Sequence, residues 1–291
     1  MAKTKLIRYL KFFLKLLVSG GALVFVFSRI DIAAVKDLIL GAEWGYLLLA
    51  LAIFSFSKLV AAFRLNRFFH CIQVQLPTSD NIRLYLLGMF YNLFLPGGIG
   101  GDGYKIYLLH KKYKVKVRKL FWAVFLDRIS GIFALGILAL LLALSVPVLW
   151  PFRYGLVMLI PLAYAIAYWG LKRWFPQFKS IFVGSSAQSL LVQGSQVLSA
   201  VLILLAVAPE AINVHYLFLF LVSSIVSIVP ITIGGAGARE LTFLYGAEYL
   251  NIDLNSAIAL SLTFYLITLL VSFCGIFYTF RESTDSLLSA K

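Results

Sequence analysis

An all-α integral membrane fold is what this sequence predicts, and three observations carry the prediction. Hydrophobic residues make up 62% of the chain and charged residues only 13%, with a mean hydropathy of +0.94, whereas soluble domains average about 25% charged residues. The apolar residues fall into runs near the ~20 residues that cross a bilayer as a helix. Two glycine-rich breaks interrupt such runs. Pro96–Lys105 reads PGGIGGDGYK and Pro230–Arg239 reads PITIGGAGAR; they align without a gap in proline, four further positions and the closing cation. Paired interruptions in two halves of a chain are the mark of an internal repeat in transporter-type membrane proteins. The expected architecture is about six transmembrane helices plus two re-entrant broken-helix hairpins in an inverted repeat. It forms a single polytopic domain over residues 1–291, with repeat motifs near 82–110 and 215–249.

The elements follow in order. Phe12–Phe27 is the first span; its basic flank resembles a signal peptide, but Lys15 interrupts the run and no small-residue cleavage pattern follows, so a retained helix is expected. Arg29–Glu43 is a polar connection. Trp44–Phe63 is the second span, with Lys58 within snorkelling reach of the interface. Arg64–Arg83 is a polar segment whose Arg64 and Arg67 read first as topology anchors. Ile82–His110 is the first broken hairpin. Proline and clustered glycine end a helix and let the backbone turn sharply. Leu120–Leu144, Tyr154–Trp169 and Ala187–Ala208 are further spans, the last rich in Ser, Gly and Gln at its start. His215–Tyr249 is the second broken hairpin and Ser256–Phe280 the final span.

Charge sets the topology. The +14 net charge lies between apolar runs, which marks the cytoplasmic side of a membrane protein and argues against nucleic acid as a partner. Basic segments are the N-terminus, 64–83, 111–119 and 172–179; 29–43, 145–153, 209–214 and 248–255 are poor in cations. Hairpins that each return to their own side satisfy all of these, with both termini cytoplasmic and the chain in the cell membrane. Three spans then separate the hairpins, so one dips in from each face. Cys71 and Cys274 are far apart in sequence, which predicts neither a disulfide framework nor a zinc site. The literal G-x-G-x-x-G at Gly98–Gly103 lacks a surrounding βαβ unit and carries no dinucleotide reading. No nucleophile, metal or nucleotide motif is visible, so an enzyme is not expected, and no cofactor is called for.

The candidate site is built from the breaks. A short helix should begin near Gly103 and another near Ala238. Helix N-termini carry free N–H groups and about half a positive charge, which suits an anion. Lys105 and Arg239 fall in those first turns. Asp102, Asp127, Arg128 and Glu240 complete the intramembrane charges. Each costs at least about 2.5–3.5 kcal/mol at the centre of a lone helix, so each is expected either to pair or to face a wet cavity. Asp102 is also a candidate helix cap, and Asn92 a candidate partner for broken-helix backbone.

NLFLPGGIGGDGYKIYLL (Asn92–Leu109), FLDRISGIFAL (Phe125–Leu135) and PITIGGAGARELTFLYG (Pro230–Gly246) resemble the flippase-like integral membrane domain of lysylphosphatidylglycerol synthases, in its stand-alone form. The synthases' soluble aminoacyl-transferase domain has no counterpart in these residues. The resemblance implies a lipid flippase or translocase that moves an anionic or modified phospholipid, or a polyprenyl-phosphate-linked lipid, between leaflets. It carries over, as substrate-binding positions, Asn92, Pro96, Gly101, Asp102 and Lys105, then Asp127 and Arg128, then Gly235, Gly237, Arg239 and Glu240. Lys105 stands where the family motif often has arginine, and lysine meets phosphate as a point charge without a bidentate fork. Membrane lipids are the expected partners; a second copy of the chain and a lipid-synthesis enzyme are the protein partners left open. A secondary transporter of a small anionic solute, and a membrane partner or enzyme of lipid-linked glycan or glycolipid synthesis, are the rival readings.

The topology has a direct check. Single cysteines near residues 100 and 234, in a background lacking Cys71 and Cys274, are expected to react with impermeant maleimide from opposite membrane faces. Reaction of both from one face would overturn the inverted arrangement.

Overall fold

The computed structural model describes residues 20, 21, 24–94, 100–228 and 237–280. Most of those residues are helical, with no strand among them. Helix α1 spans Ile32–Leu40, α2 Trp44–His70, α3 Thr78–Phe94, α4 Gly100–Tyr113, α5 Val117–Ala143, α6 Arg153–Trp174, α7 Phe182–Val207, α8 Val214–Val226, α9 Ala238–Leu250, α10 Leu254–Phe273 and α11 Ile276–Phe280. Short 3₁₀ turns at Pro147–Phe152, Pro176–Ile181 and Pro209–Ala211 join the longer helices, each opening on a proline whose missing N–H costs nothing in a first turn.

Among the described residues five stretches are long and apolar enough to cross a membrane: Trp44–His70, Val117–Ala143, Pro147–Trp174, Pro176–Val207 and Leu254–Tyr278. The chain is thus a multi-pass membrane protein. Most of the span expected at Phe12–Phe27 lies outside the described residues, of which 24–27 are helical. The four helices of the two expected hairpins are shorter: α3 has 17 residues, α4 14, and α8 and α9 13 each. At 1.5 Å per residue the last three measure about 20 Å, short of the ~30 Å hydrocarbon core. α3 packs on α4, and α8 on α9. The connections 95–99 and 229–236 lie outside the described residues.

Several expected boundaries move. Arg29–Glu43 is not a plain connection: the Asp31 carboxylate accepts the Ala33 and Ala34 amides at 2.9 and 3.1 Å and starts α1, which packs on α10. Such a cap satisfies amides that a helix start otherwise leaves unpaired. α2 runs two turns past Phe63, so Arg64, Asn66 and Arg67 are helical. A polar residue at the end of an apolar run resembles an interface, yet here Asn66 donates to the Leu76 carbonyl at 3.1 Å and Arg64 is buried. α7 begins at Phe182, one turn before the expected Ala187.

The first glycine-rich helix also begins early, at Gly100 rather than near Gly103. Two local facts explain this. The Asn92 side-chain carbonyl accepts the Gly101 N–H at 2.8 Å, satisfying a first-turn donor from the neighbouring helix. A Cβ on Gly101 would run into the Gly88 carbonyl of α3. The glycine is therefore a close-approach residue between packed helices, as small residues are in membrane proteins. The second helix starts at Ala238 as expected. Gly237 precedes it at φ 85°, a left-handed conformation that favours glycine, and donates its N–H to the Glu240 carboxylate at 2.7 Å.

The core divides between the two ends of the bundle. One cluster joins α2, α7, α8, α9 and α10 around Phe54, Phe220, Phe243 and Ile258; the other joins α2, α3, α4 and α5 around Phe69, Leu87, Leu120 and Phe178. α6 buries no residue and lies at the periphery.

Gly101→Ala is expected to overpack the α3–α4 contact and cost about 1–3 kcal/mol. This should appear as a lower melting temperature in detergent. Gly136→Ala in α5, which meets nothing within 4 Å, should leave that temperature unchanged.

Candidate functional site

Between the two clusters lies a cavity of about 360 Å³. α2 contributes Phe54, Lys58, Ala61 and Arg64, spaced so that they form one helical stripe. α5 contributes Asp127, Arg128, Gly131, Ile132 and Leu135 by the same periodicity. α4 adds Asp102 and Lys105, α9 adds Arg239, and Tyr85, Gln193, Gln196, Ser224, Ser227 and Thr268 supply further polar wall. Five cationic side chains thus face two carboxylates.

The carboxylates are already committed. Asp127 accepts from Arg64 Nε at 2.8 Å, and both are buried. Arg64 also donates to Ser189 Oγ at 2.8 Å, and Ser189 donates to the Ser185 carbonyl at 2.7 Å. Asp102 takes Lys105 Nζ at 3.1 Å on one oxygen and Arg128 Nε on the other. Lys105 Nζ further lies 4.8 Å from the Tyr85 ring centroid. These contacts bind α2 to α5 and α4 to α5 by charge.

Arg239 differs. It is 8% exposed, and its Nε and Nη2 have no hydrogen-bond partner among the described residues. Its guanidinium sits 5.1 Å from the Phe264 centroid and 5.6 Å from that of Phe220, a cation–π setting that holds charge without neutralising it. The neighbouring Glu240 carboxylate is turned away, accepting from Gly237 N–H at 2.7 Å and Ser261 Oγ at 3.1 Å. Lys58 Nζ stands 4.3 Å from the Phe54 centroid. Among the described residues neither Lys58 nor Arg239 forms an ion pair.

The site residues named from sequence therefore separate into groups. Asp102, Lys105, Asp127, Arg128 and Arg239 come together on the cavity wall, with Asn92 at its edge. Asn92, Gly101, Gly237 and Glu240 make the helix starts and the close approach that hold those charges in place. Asp102 is in the first turn of α4 and serves as an ion-pair partner rather than a cap. Lys105 lies beyond the first turn, because α4 begins at Gly100. Pro96 and Gly235 lie outside the described residues. Sequence reading passed over Lys58 and Arg64, taken for interface residues, and over Tyr85, Gln193 and Gln196. The signal was there: positions 54, 58, 61 and 64 repeat at helical spacing, as do 189, 193 and 196 within an apolar run.

A helical bundle with membrane-spanning elements and a charged cavity between them defines a class, the polytopic membrane protein with an internal polar site. The model of the lysylphosphatidylglycerol synthase transmembrane region matches residues 12–275, and the chain belongs to that family. Membership associates it with lipid metabolism or transport. A search of curated proteins finds no match.

Asp127→Asn or Arg64→Met alone strands a buried charge and is expected to cost about 3–5 kcal/mol. The combined Arg64→Met/Asp127→Leu variant should recover most of that loss, because no charge is left unpaired. Melting temperatures of the three variants in detergent check this.

Proposed function

We propose that this protein moves a phosphate-bearing lipid between the leaflets of the cell membrane, its cavity holding the headgroup while the acyl chains stay in hydrocarbon. One observation carries the reading: Arg239, buried in the cavity wall, keeps two donor nitrogens unpartnered beside an excess of cations. A desolvated, unsatisfied guanidinium is costly, and an anionic ligand removes that cost. Phosphate meets the guanidinium fork in bidentate fashion.

The paired short helices fit re-entrant hairpins. In that arrangement α3–α4 dips in from the cytoplasm and α8–α9 from outside, with both termini cytoplasmic, so the cavity lies where the two meet. Asp102 and Asp127 keep Lys105, Arg128 and Arg64 in position. The protein acts by binding and moving its substrate, without chemistry on it. Lys105 already pairs with Asp102, so the deciding variant is at Arg239.

Purified protein in vesicles should accelerate the transbilayer movement of headgroup-labelled phosphatidylglycerol. Arg239→Gln should slow it about 10–100-fold, the loss of a charged hydrogen bond of about 1.5–3 kcal/mol, with melting temperature retained. Arg153→Gln, on an exposed side chain at the start of α6, should leave the rate unchanged. A wild-type rate in the Arg239→Gln protein removes the phosphate site. Uptake of a soluble anion without lipid movement would favour the small-solute reading instead.

A further inference from the structure

A second cavity, of about 450 Å³, lies between α2, α3 and α10. Its wall is mostly apolar, with Leu51, Leu59, Ile82, Leu86, Leu270 and Cys274 among its residues, and no carboxylate lines it among the described residues. Leu59, Leu270 and Cys274 are exposed, so the groove opens sideways, toward lipid in a membrane. Lys58 and Tyr85 line both this groove and the charged cavity, so the two spaces share a wall. Another apolar cavity, about 300 Å³ between α5, α6 and α7, shares none of the described residues with the charged cavity.

Lys58 lines both spaces, and Arg239 lines the charged cavity. Lys58 lies over Phe54 and Arg239 over Phe264, and those two rings meet edge to face at 5.3 Å. Two like charges thus flank one aromatic pair, neither held by a carboxylate. Along α2 the groove runs from Leu51 to Ala62, about 16 Å at 1.5 Å per residue, or half the ~30 Å hydrocarbon core. It follows the half of the α2 apolar run nearer the basic segment 64–83.

We infer that this groove seats one acyl chain of the transported lipid, whose phosphate bridges Lys58 and Arg239, so that lipid from the leaflet beside the basic segments reaches the cavity between α2, α3 and α10. The inference rests on the lipid-moving reading and adds the substrate's second attachment and its path. A phosphate at the junction and hydrocarbon in the groove match the two walls in order: charged, then apolar, then open to the bilayer. Soluble anions have nothing to place in the groove.

The test uses the full-length protein in phosphatidylglycerol vesicles doped with phosphatidylglycerol carrying a diazirine in one acyl chain. After illumination, adducts are mapped by mass spectrometry. Adducts on the groove residues of α2, α3 and α10 are expected to exceed those on lipid-facing α6 at least fivefold. Lys58→Gln should lower that ratio at least threefold. Ser55→Trp, which fills the groove and leaves every cavity charge intact, should abolish the enrichment at an unchanged melting temperature. Diacylglycerol with the same photoreactive chain but no phosphate should show no enrichment. Equal labelling of α6 and the groove, or enrichment indifferent to Lys58→Gln and to the missing phosphate, overturns the inference. Normal transbilayer movement without enrichment sinks the groove alone; enrichment without any movement sinks the translocase reading and keeps the lipid site.

Discussion

The ion pairs on α5, one buried and one partly buried, are the constraint around which the rest is arranged. Asp127 and Arg128 are adjacent on that helix, and each reaches a different neighbour: Asp127 holds Arg64 of α2, Arg128 holds Asp102 of α4. In hydrocarbon an uncompensated charge is expensive, so these helices cannot slide or rotate freely without exposing one. The pairs therefore fix the register of three helices at the depth where the cavity opens. They also decide which cations remain available. Arg64 pairs with Asp127, and Lys105 and Arg128 share Asp102, while Lys58 and Arg239 pair with no carboxylate among the described residues.

Backbone geometry makes that pairing reachable. Gly101 lets α4 lie against the α3 backbone at Gly88, and the Asn92 side chain takes the Gly101 amide. Asp102 then points from the first turn of α4 toward Arg128. At the other break, Gly237 turns into the left-handed region and Glu240 closes the helix start, which sets Arg239 against Phe220 and Phe264. The two breaks have the same glycine-rich chemistry and opposite electrostatic results. One delivers a cation with its carboxylate, the other a cation set, among the described residues, against aromatic faces.

Much of the fold was legible because hydropathy and charge are summed over long windows. The later spans lie close to where the apolar runs place them, and both broken segments yield short paired helices. Boundaries failed where side chains act locally. Asp31 caps a helix inside a segment that looks like a polar connection, and Asn92 starts α4 a turn early. Arg64 and Lys58 were misread for one reason: a cation near the end of an apolar run has the same sequence signature whether it snorkels to the interface or turns inward.

Composition, the distribution of cations and the repeated glycine motif determined by themselves that the chain is a helical membrane protein with intramembrane charges, since these follow from the cost of placing polar groups in hydrocarbon. Which charges pair, and which stay open, depends on contacts between residues tens of positions apart, such as Arg64 with Asp127 and Arg128 with Asp102. Only the tertiary structure decided that, because ion pairs act over a few ångströms of space and leave no periodic trace along the chain.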